Sequence, residues 1–138
     1  MTLSRIVFSS ASEHWATPGD LYAALDKEFG FTLDPCPIRG TDGISRSWAG
    51  ERVYCNPPYG PKIRAFLEKH SEANLSVFLL PARTDTKWFH EVVLPAAREI
   101  RFLKGRLHFN EKGPAPFPSM VVIFAPAVGT AQGEVKDE

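Results

Sequence analysis

Cysteine is scarce in this chain of 138 residues: Cys36 and Cys55 are the only two, each beside a separate short motif, with no CxxC pair and no Cys/His cluster. That excludes a disulfide framework and a metal centre of ordinary ligand spacing, and it suits reduced thiols in a cytosolic protein. His14, His70, His90 and His108 are scattered and add no ligand spacing. Net charge is lacking as well. Lys plus Arg and Asp plus Glu number 16 each, so no overall field draws the chain to nucleic acid or to a membrane. No apolar run approaches the roughly 20 residues of a membrane span. The N-terminus lacks the basic-then-apolar pattern of a signal peptide, and no internal repeat is visible. What is left reads as a soluble, intracellular chain. With 43% apolar residues it holds one core and one domain, too short for a catalytic domain plus a recognition domain of ordinary size.

Against that even balance, charge is patterned locally. Between positions 83 and 112 seven basic residues (Arg83, Lys87, Arg98, Arg101, Lys104, Arg106, Lys112) stand against four acidic ones. Such a surplus suits either a phosphate-facing surface or an ordinary solvated face.

Local patterns give the order of elements. Thr17-Pro18-Gly19-Asp20 predicts a helix start, with Thr17 as cap, Pro18 at the first helical position and Asp20 at the positive end of the dipole. Leu21, Ala24, Leu25 and Phe29 follow at helical spacing, and Gly30 stops the helix. Phe31 to Asp34 predicts a short strand, Arg52 to Cys55 another, and a helix begins near Pro61 with Ile63, Phe66, Leu67 and His70 on one side. Leu75 to Leu80 is apolar without alternation, as in a strand covered on both faces. A loop from Pro81 to Asp85 leads to a helical segment in which Trp88 and Phe89 pack with Val92 and Val93 and which Pro95 ends. Glu99 to Leu103, Arg106 to Phe109 and Met120 to Ala125 read as strands, and the chain from Val128 as a disordered tail. This alternation argues for an open, mostly parallel α/β sheet whose ligands bind at the C-terminal ends of its strands. Asp34, Asn56 to Tyr59, and Pro81 to Asp85 then share one rim.

Asn56-Pro57-Pro58-Tyr59 is the most informative stretch. Two prolines without backbone N–H groups end the strand before them and leave carbonyls outside the ladder. The Asn56 side-chain oxygen and the Pro57 carbonyl suit the two hydrogens of a planar –NH2, and Tyr59 offers a ring on which a base stacks. Two acceptors off the amine plane favour the pyramidal form whose lone pair can attack a methyl donor. Alone, four such residues read equally as a proline-rich turn. Phe109 and Phe117, in a Gly/Pro-bounded region, are candidates for the second wall of a base sandwich.

Context adds to this. Thr17-Pro18, then Asp34-Pro35-Cys36, then Asp42-Gly43-Ile44 followed by Trp48, precede Asn56 to Tyr59; Leu80 to Asp85 and Gly105-Arg106-Leu107-His108-Phe109 follow. From about Trp15 to Phe124 this order resembles the small phage-type DNA adenine-N6 methyltransferase family. The resemblance implies a minimal Rossmann-like fold that uses S-adenosylmethionine, with a mostly parallel sheet and helices on both faces, over residues 1–127. It implies catalysis by Asn56, Pro57, Pro58 and Tyr59; S-adenosylmethionine contacts from Thr17, Pro18, Asp34, Pro35, Cys36 and Asp42; and DNA contacts from Arg83, Asp85, Arg106, Phe109 and Phe117, without a metal. The cell compartment implied is the cytoplasm of a bacterial host or prophage-bearing cell.

Departures from the family pattern accompany the match. No Gly-x-Gly turn follows the first strand, Asp34 and Asn56 are only 22 positions apart, and no acidic residue ends a second strand to hold the ribose. With no recognition domain, sequence specificity is loose or comes from a partner in a homodimer or from the loops around Arg83 and Lys112. Two rival readings stand: a protein glutamine-N5 methyltransferase, since an amide –NH2 offers the same two hydrogens, and a non-catalytic nucleic-acid-binding relative of the fold.

Overall fold

Pro18, at φ −57° and ψ 134°, sets the chain at the threshold of helix α1 (Gly19–Phe29), and its carbonyl takes the first helical bond from the Tyr22 N–H at 3.0 Å. The structure, a computed structural model, describes residues 16–36, 43–109 and 113–125. Pro18 is thus the cap position itself, and no side chain caps the helix. The expected Thr17 cap does not form, because the Thr17 hydroxyl is engaged elsewhere. Gly30 closes α1 in the left-handed region (φ 66°) that glycine adopts without strain, giving its N–H to the Asp26 carbonyl.

The strand expected over Phe31 to Asp34 contracts to one parallel bridge, Leu33 with Val53, because Pro35 soon removes the donor that a longer ladder needs. Four full strands follow: β1 (Arg52–Cys55), β2 (Leu75–Pro81), β3 (Glu99–Phe102) and β4 (Ser119–Phe124), in the spatial order β1-β2-β4-β3. β1 and β2 are parallel, whereas β4 pairs antiparallel with both β2 and β3. The sheet is therefore not mostly parallel in its pairing. Both β2 and β4 are buried along their whole length. A continuous apolar run reports burial on two faces, which a central antiparallel strand satisfies as well as a parallel one. Pro81 is tolerated in central β2 because it is the last residue of the strand, beyond the β1 ladder that stops at Phe78.

Side-chain alternation divides the two layers. Tyr54 of β1 meets the Tyr22 ring of α1 edge-on at 5.1 Å, and Arg101 of β3 forms a forked ion pair with Glu28, so α1 lies across one face. On the other face Phe78 packs against Trp48 and Phe124, and Phe124 against His70. Trp48 is fully buried, and its indole N–H donates to the Gly43 carbonyl at 3.0 Å.

Between the strands lie helix α2 (Ile63–Leu67), a 3₁₀ turn (His70–Glu72) that takes His70 off the helix, and a π-helical turn (Phe89–Val93) running into helix α3 (Leu94–Ala96). Phe89 is core and Trp88 packs against it, as the spacing predicted. Pro95 sits inside this segment and does not end it; it has no N–H to bond, and the wider turn before it accommodates that loss. Residues 106–109 form no strand. After Gly105 the chain bonds to its own loop, with the Ala115 N–H donating to the Leu107 carbonyl at 2.8 Å.

Candidate functional site

Strand direction decides what meets at one edge. The Leu33 bridge, β1 and β2 run the same way, and β4, opposed to β2, begins where β2 ends, Pro81 lying opposite Ser119. β3 ends at that edge too, since the Leu103 N–H bonds the Ser119 carbonyl. Asp34, Asn56 to Tyr59, Arg83, Arg106 and Phe117 therefore stand on a single rim, where Asp34, Asn56 to Tyr59 and Pro81 to Asp85 were expected from their places at strand ends. Asp42 and Lys112 lie outside the described residues, as does the tail from position 128.

At the centre is the turn after β1. Pro57 and Pro58 are buried and Asn56 is half-buried. The Asn56 Nδ2 donates to Thr17 Oγ1 at 3.2 Å, and Thr17 Oγ1 is 2.6 Å from the Tyr54 hydroxyl. Burial holds the Tyr54 phenol well above its ordinary pKa, with the Thr17 bond opposing. Tyr54 was missed as a site residue, and its only sequence signal is its place two residues before Asn56.

Tyr59 is 8% exposed. Its ring meets Phe117 edge-on, with centroids 5.3 Å apart at 68°, and its hydroxyl donates to the Leu79 carbonyl at 3.5 Å. Burial raises this phenol's pKa as well, so it stays protonated. Phe109 is 6.1 Å from Phe117, and the Arg83 guanidinium lies 5.8 Å over the Phe117 ring. The edge contact leaves no base-wide gap between Tyr59 and Phe117. Phe117 thus braces Tyr59 from the side, with Phe109 behind it.

On the flank, Asp34 opens to solvent while the Cys36 N–H donates to its carboxylate at 3.0 Å. Protein packed around this carboxyl raises its pKa, and the Cys36 N–H counters the rise. Cys36 Sγ lies 3.9 Å from Cys55 Sγ, which joins the segment to the turn after β1. Pro35 is buried against Gly43 so closely that a Cβ on Gly43 would stand 2.3 Å from the Pro35 carbonyl oxygen.

A cavity of about 480 Å³ opens between the start of α1 (Pro18, Asp20, Leu21) and the segment after β3 that carries Lys104, Arg106 and His108. Arg106 braces that segment through a 3.3 Å bond to the Ala115 carbonyl. Of the other basic residues, Arg101 is committed to Glu28 and Glu99, and Arg98 is exposed at the start of β3, on the opposite edge of the sheet. Asp85 and Lys87 are exposed beyond β2. Among the described residues no group of His, Cys, Asp and Glu has the arrangement of a metal site, and no helix is long and apolar enough to cross a membrane.

The sequence profile of the DNA N-6-adenine-methyltransferase (Dam) family matches residues 6–128, nearly the whole chain. The chain belongs to the Dam family. No curated protein and no solved structure matches it. Dam membership makes adenine-specific methylation of DNA the activity in general.

Proposed function

We propose that this Dam-family protein transfers a methyl group to the N6 amine of an adenine turned out of DNA, with S-adenosylmethionine as donor. The observation that carries the reading is the convergence of Asn56 to Tyr59 with Asp34, Arg83 and Phe117 on one sheet edge. Bound there, S-adenosylmethionine would supply an electrophilic methyl carbon on a sulfonium that leaves as a neutral thioether once its S–CH3 bond is broken. The residues present fit such a donor: Asp34, oriented by the Cys36 N–H, is a carboxylate acceptor for hydroxyl or amine groups at the rim, and Pro18 gives apolar contact. Gly43, seated on Pro35, fixes the path of that segment.

The chain's own work is on the base. The Asn56 side-chain oxygen and the Pro57 carbonyl accept the two N6 hydrogens, which biases the nitrogen toward the tetrahedral form whose lone pair can attack. The proton that the nitrogen then sheds passes to water at the rim. Turning out the base costs a few kcal/mol. Stacking on an aromatic ring returns about 1–3 kcal/mol per base, so Tyr59, held by Phe117, offsets much of that cost. Arg83, Arg106 and Lys104 meet phosphates. Within this chain, sequence selection falls to the loops at Arg83 and around residues 103–109, or to a second copy of the chain.

The test is direct. The protein is incubated with labelled S-adenosylmethionine and, in parallel, with duplex DNA, single-stranded DNA, RNA and a translation release factor, and the nucleic acids are digested. N6-methyladenine from DNA is the expected product. Label in release-factor glutamine alone, or no transfer despite donor binding, overturns the proposal.

A further inference from the structure

Methylation at Asn56 requires more than the presence of the side chain. A carboxamide turned by 180° swaps its oxygen for an –NH2, and an –NH2 facing the target amine would set donor against donor. Something must fix which end points where. The backbone of the Asn-Pro-Pro-Tyr turn does not do it, since rotation of the terminal amide is soft and roughly two-fold.

We propose that Thr17 is a positioning residue for Asn56, with Tyr54 as its anchor, and that this is the main role of the Thr17 hydroxyl in place of donor binding. The proposal rests on the methyl-transfer reading above. Thr17 lies 39 positions from Asn56 in sequence, yet its Oγ1 accepts from Asn56 Nδ2 at 3.2 Å. With the amide nitrogen committed to Thr17, the amide oxygen faces away from it. The hydroxyl is held in turn at 2.6 Å by the phenol of Tyr54, which is 1% exposed. That ring is clamped by Tyr22 and Phe31 at 5.1 and 5.3 Å. Tyr54 therefore cannot move without repacking α1 against β1, which fixes its hydroxyl beside Thr17 Oγ1.

The arrangement also explains why the helix start lacks its expected cap. Thr17 is half-buried and its hydroxyl points to the turn after β1, leaving Pro18 alone at the threshold of α1. A threonine cap in place of an alanine typically stabilises by about 1 kcal/mol. The fold forgoes that contribution where the hydroxyl serves Asn56 instead.

Three variants separate this from a structural role. Thr17→Val keeps the shape and loses the hydroxyl; Thr17→Ser restores it; Tyr54→Phe keeps the clamped ring and loses the anchor. For Thr17→Val we expect kcat to fall by roughly tenfold to a hundredfold, as misplacement of a reacting group does, with the S-adenosylmethionine Kd by calorimetry within about twofold and the melting temperature lowered by a few degrees, because the buried Tyr54 hydroxyl loses its partner. Thr17→Ser should recover most of the rate, and Tyr54→Phe should fall between. A readout independent of turnover is the Asn56 side-chain amide in ¹⁵N–¹H spectra. Its protons should lose protection from exchange in Thr17→Val and keep it in Thr17→Ser. An unchanged kcat or unchanged amide protection in Thr17→Val overturns the proposal, and so does a loss confined to donor Kd. If wild-type protein methylates no adenine at all, the functional reading fails on its own, while the amide spectra still decide whether Thr17 positions Asn56.

Discussion

Ring and hydroxyl of Tyr59 can be separated by substitution, and the structure assigns them very different weights. The hydroxyl reaches the Leu79 carbonyl at 3.5 Å, the far limit of a hydrogen bond, so its removal in Tyr59→Phe should cost about 0.5 kcal/mol and leave methyl transfer within about twofold. The ring is another matter. In Tyr59→Leu the buried volume is largely kept, but the π face offered to a base is lost. Stacking of about 1–3 kcal/mol per base corresponds, at 1.36 kcal/mol per decade, to a fall of about 5- to 160-fold in kcat/KM for DNA. Tyr59→Ala would confound the result, since emptying a site that is only 8% exposed costs about 3–5 kcal/mol of stability as well. The assay is incorporation of labelled methyl into adenine-containing DNA at fixed salt, with the melting temperature of each variant measured alongside. Tyr59→Leu at the wild-type rate with wild-type stability would refute the stacking role; a large loss in Tyr59→Phe would mean that the phenol acts on the substrate directly.

Four further outcomes are expected. Arg83→Ala and Arg106→Ala should each reduce the log–log salt dependence of DNA binding by about one, while Arg98→Ala, on the opposite edge, leaves it unchanged; fluorescence anisotropy across a salt series gives the three slopes, and equal slopes remove the proposed phosphate surface. Ser119 Oγ is buried and has no hydrogen-bond partner among the described residues, so Ser119→Ala should raise stability by about 1 kcal/mol in urea titration; a loss of that size would reveal a partner for the hydroxyl. Gly43→Ala would drive a Cβ to 2.3 Å from the Pro35 carbonyl oxygen, costing about 1–3 kcal/mol and weakening donor binding together, both readable in a thermal shift with and without S-adenosylmethionine. Tyr54 and Tyr59 hold their protons more tightly folded than unfolded. The contribution of these two phenols should therefore be flat up to pH about 10, where free tyrosine ionises, and fall as pH rises further, less steeply in Tyr59→Phe.

The strands that a reader of the sequence finds easily are those with one answer. Arg52 to Cys55 and the run from Leu75 are strands because β-branched and aromatic residues, bounded by Gly and Pro, have nowhere else to go, and Asn56 to Tyr59 announces itself because two consecutive prolines must leave a ladder. Gly30 was legible for the same local reason. What a neighbour decides was not legible. The direction of β4 depends on its pairing with β2, and nothing in Ser119–Phe124 encodes a sign. Phe31 to Asp34 has strand composition, but one bridge to Val53 is all that the geometry leaves it. Thr17 has the chemistry of a helix cap and lost that role to Asn56, a competition between a contact next door and one 39 residues away that only the folded chain resolves. Tyr54 read only as part of a strand; it is core, with its hydroxyl turned toward Thr17.

The place of β4 between β2 and β3 has a consequence for how this protein is made. While the nascent chain is still leaving the ribosome, β1 and β2 can pair, but β3 has no partner and β2, rich in apolar residues, shows an open backbone edge until Ser119–Phe124 emerges. An exposed edge of that kind invites pairing with another chain. Any break in translation past β3 would leave a fragment prone to aggregate and inert, because Phe117 and the brace behind Tyr59 arrive only with the strand that closes the sheet.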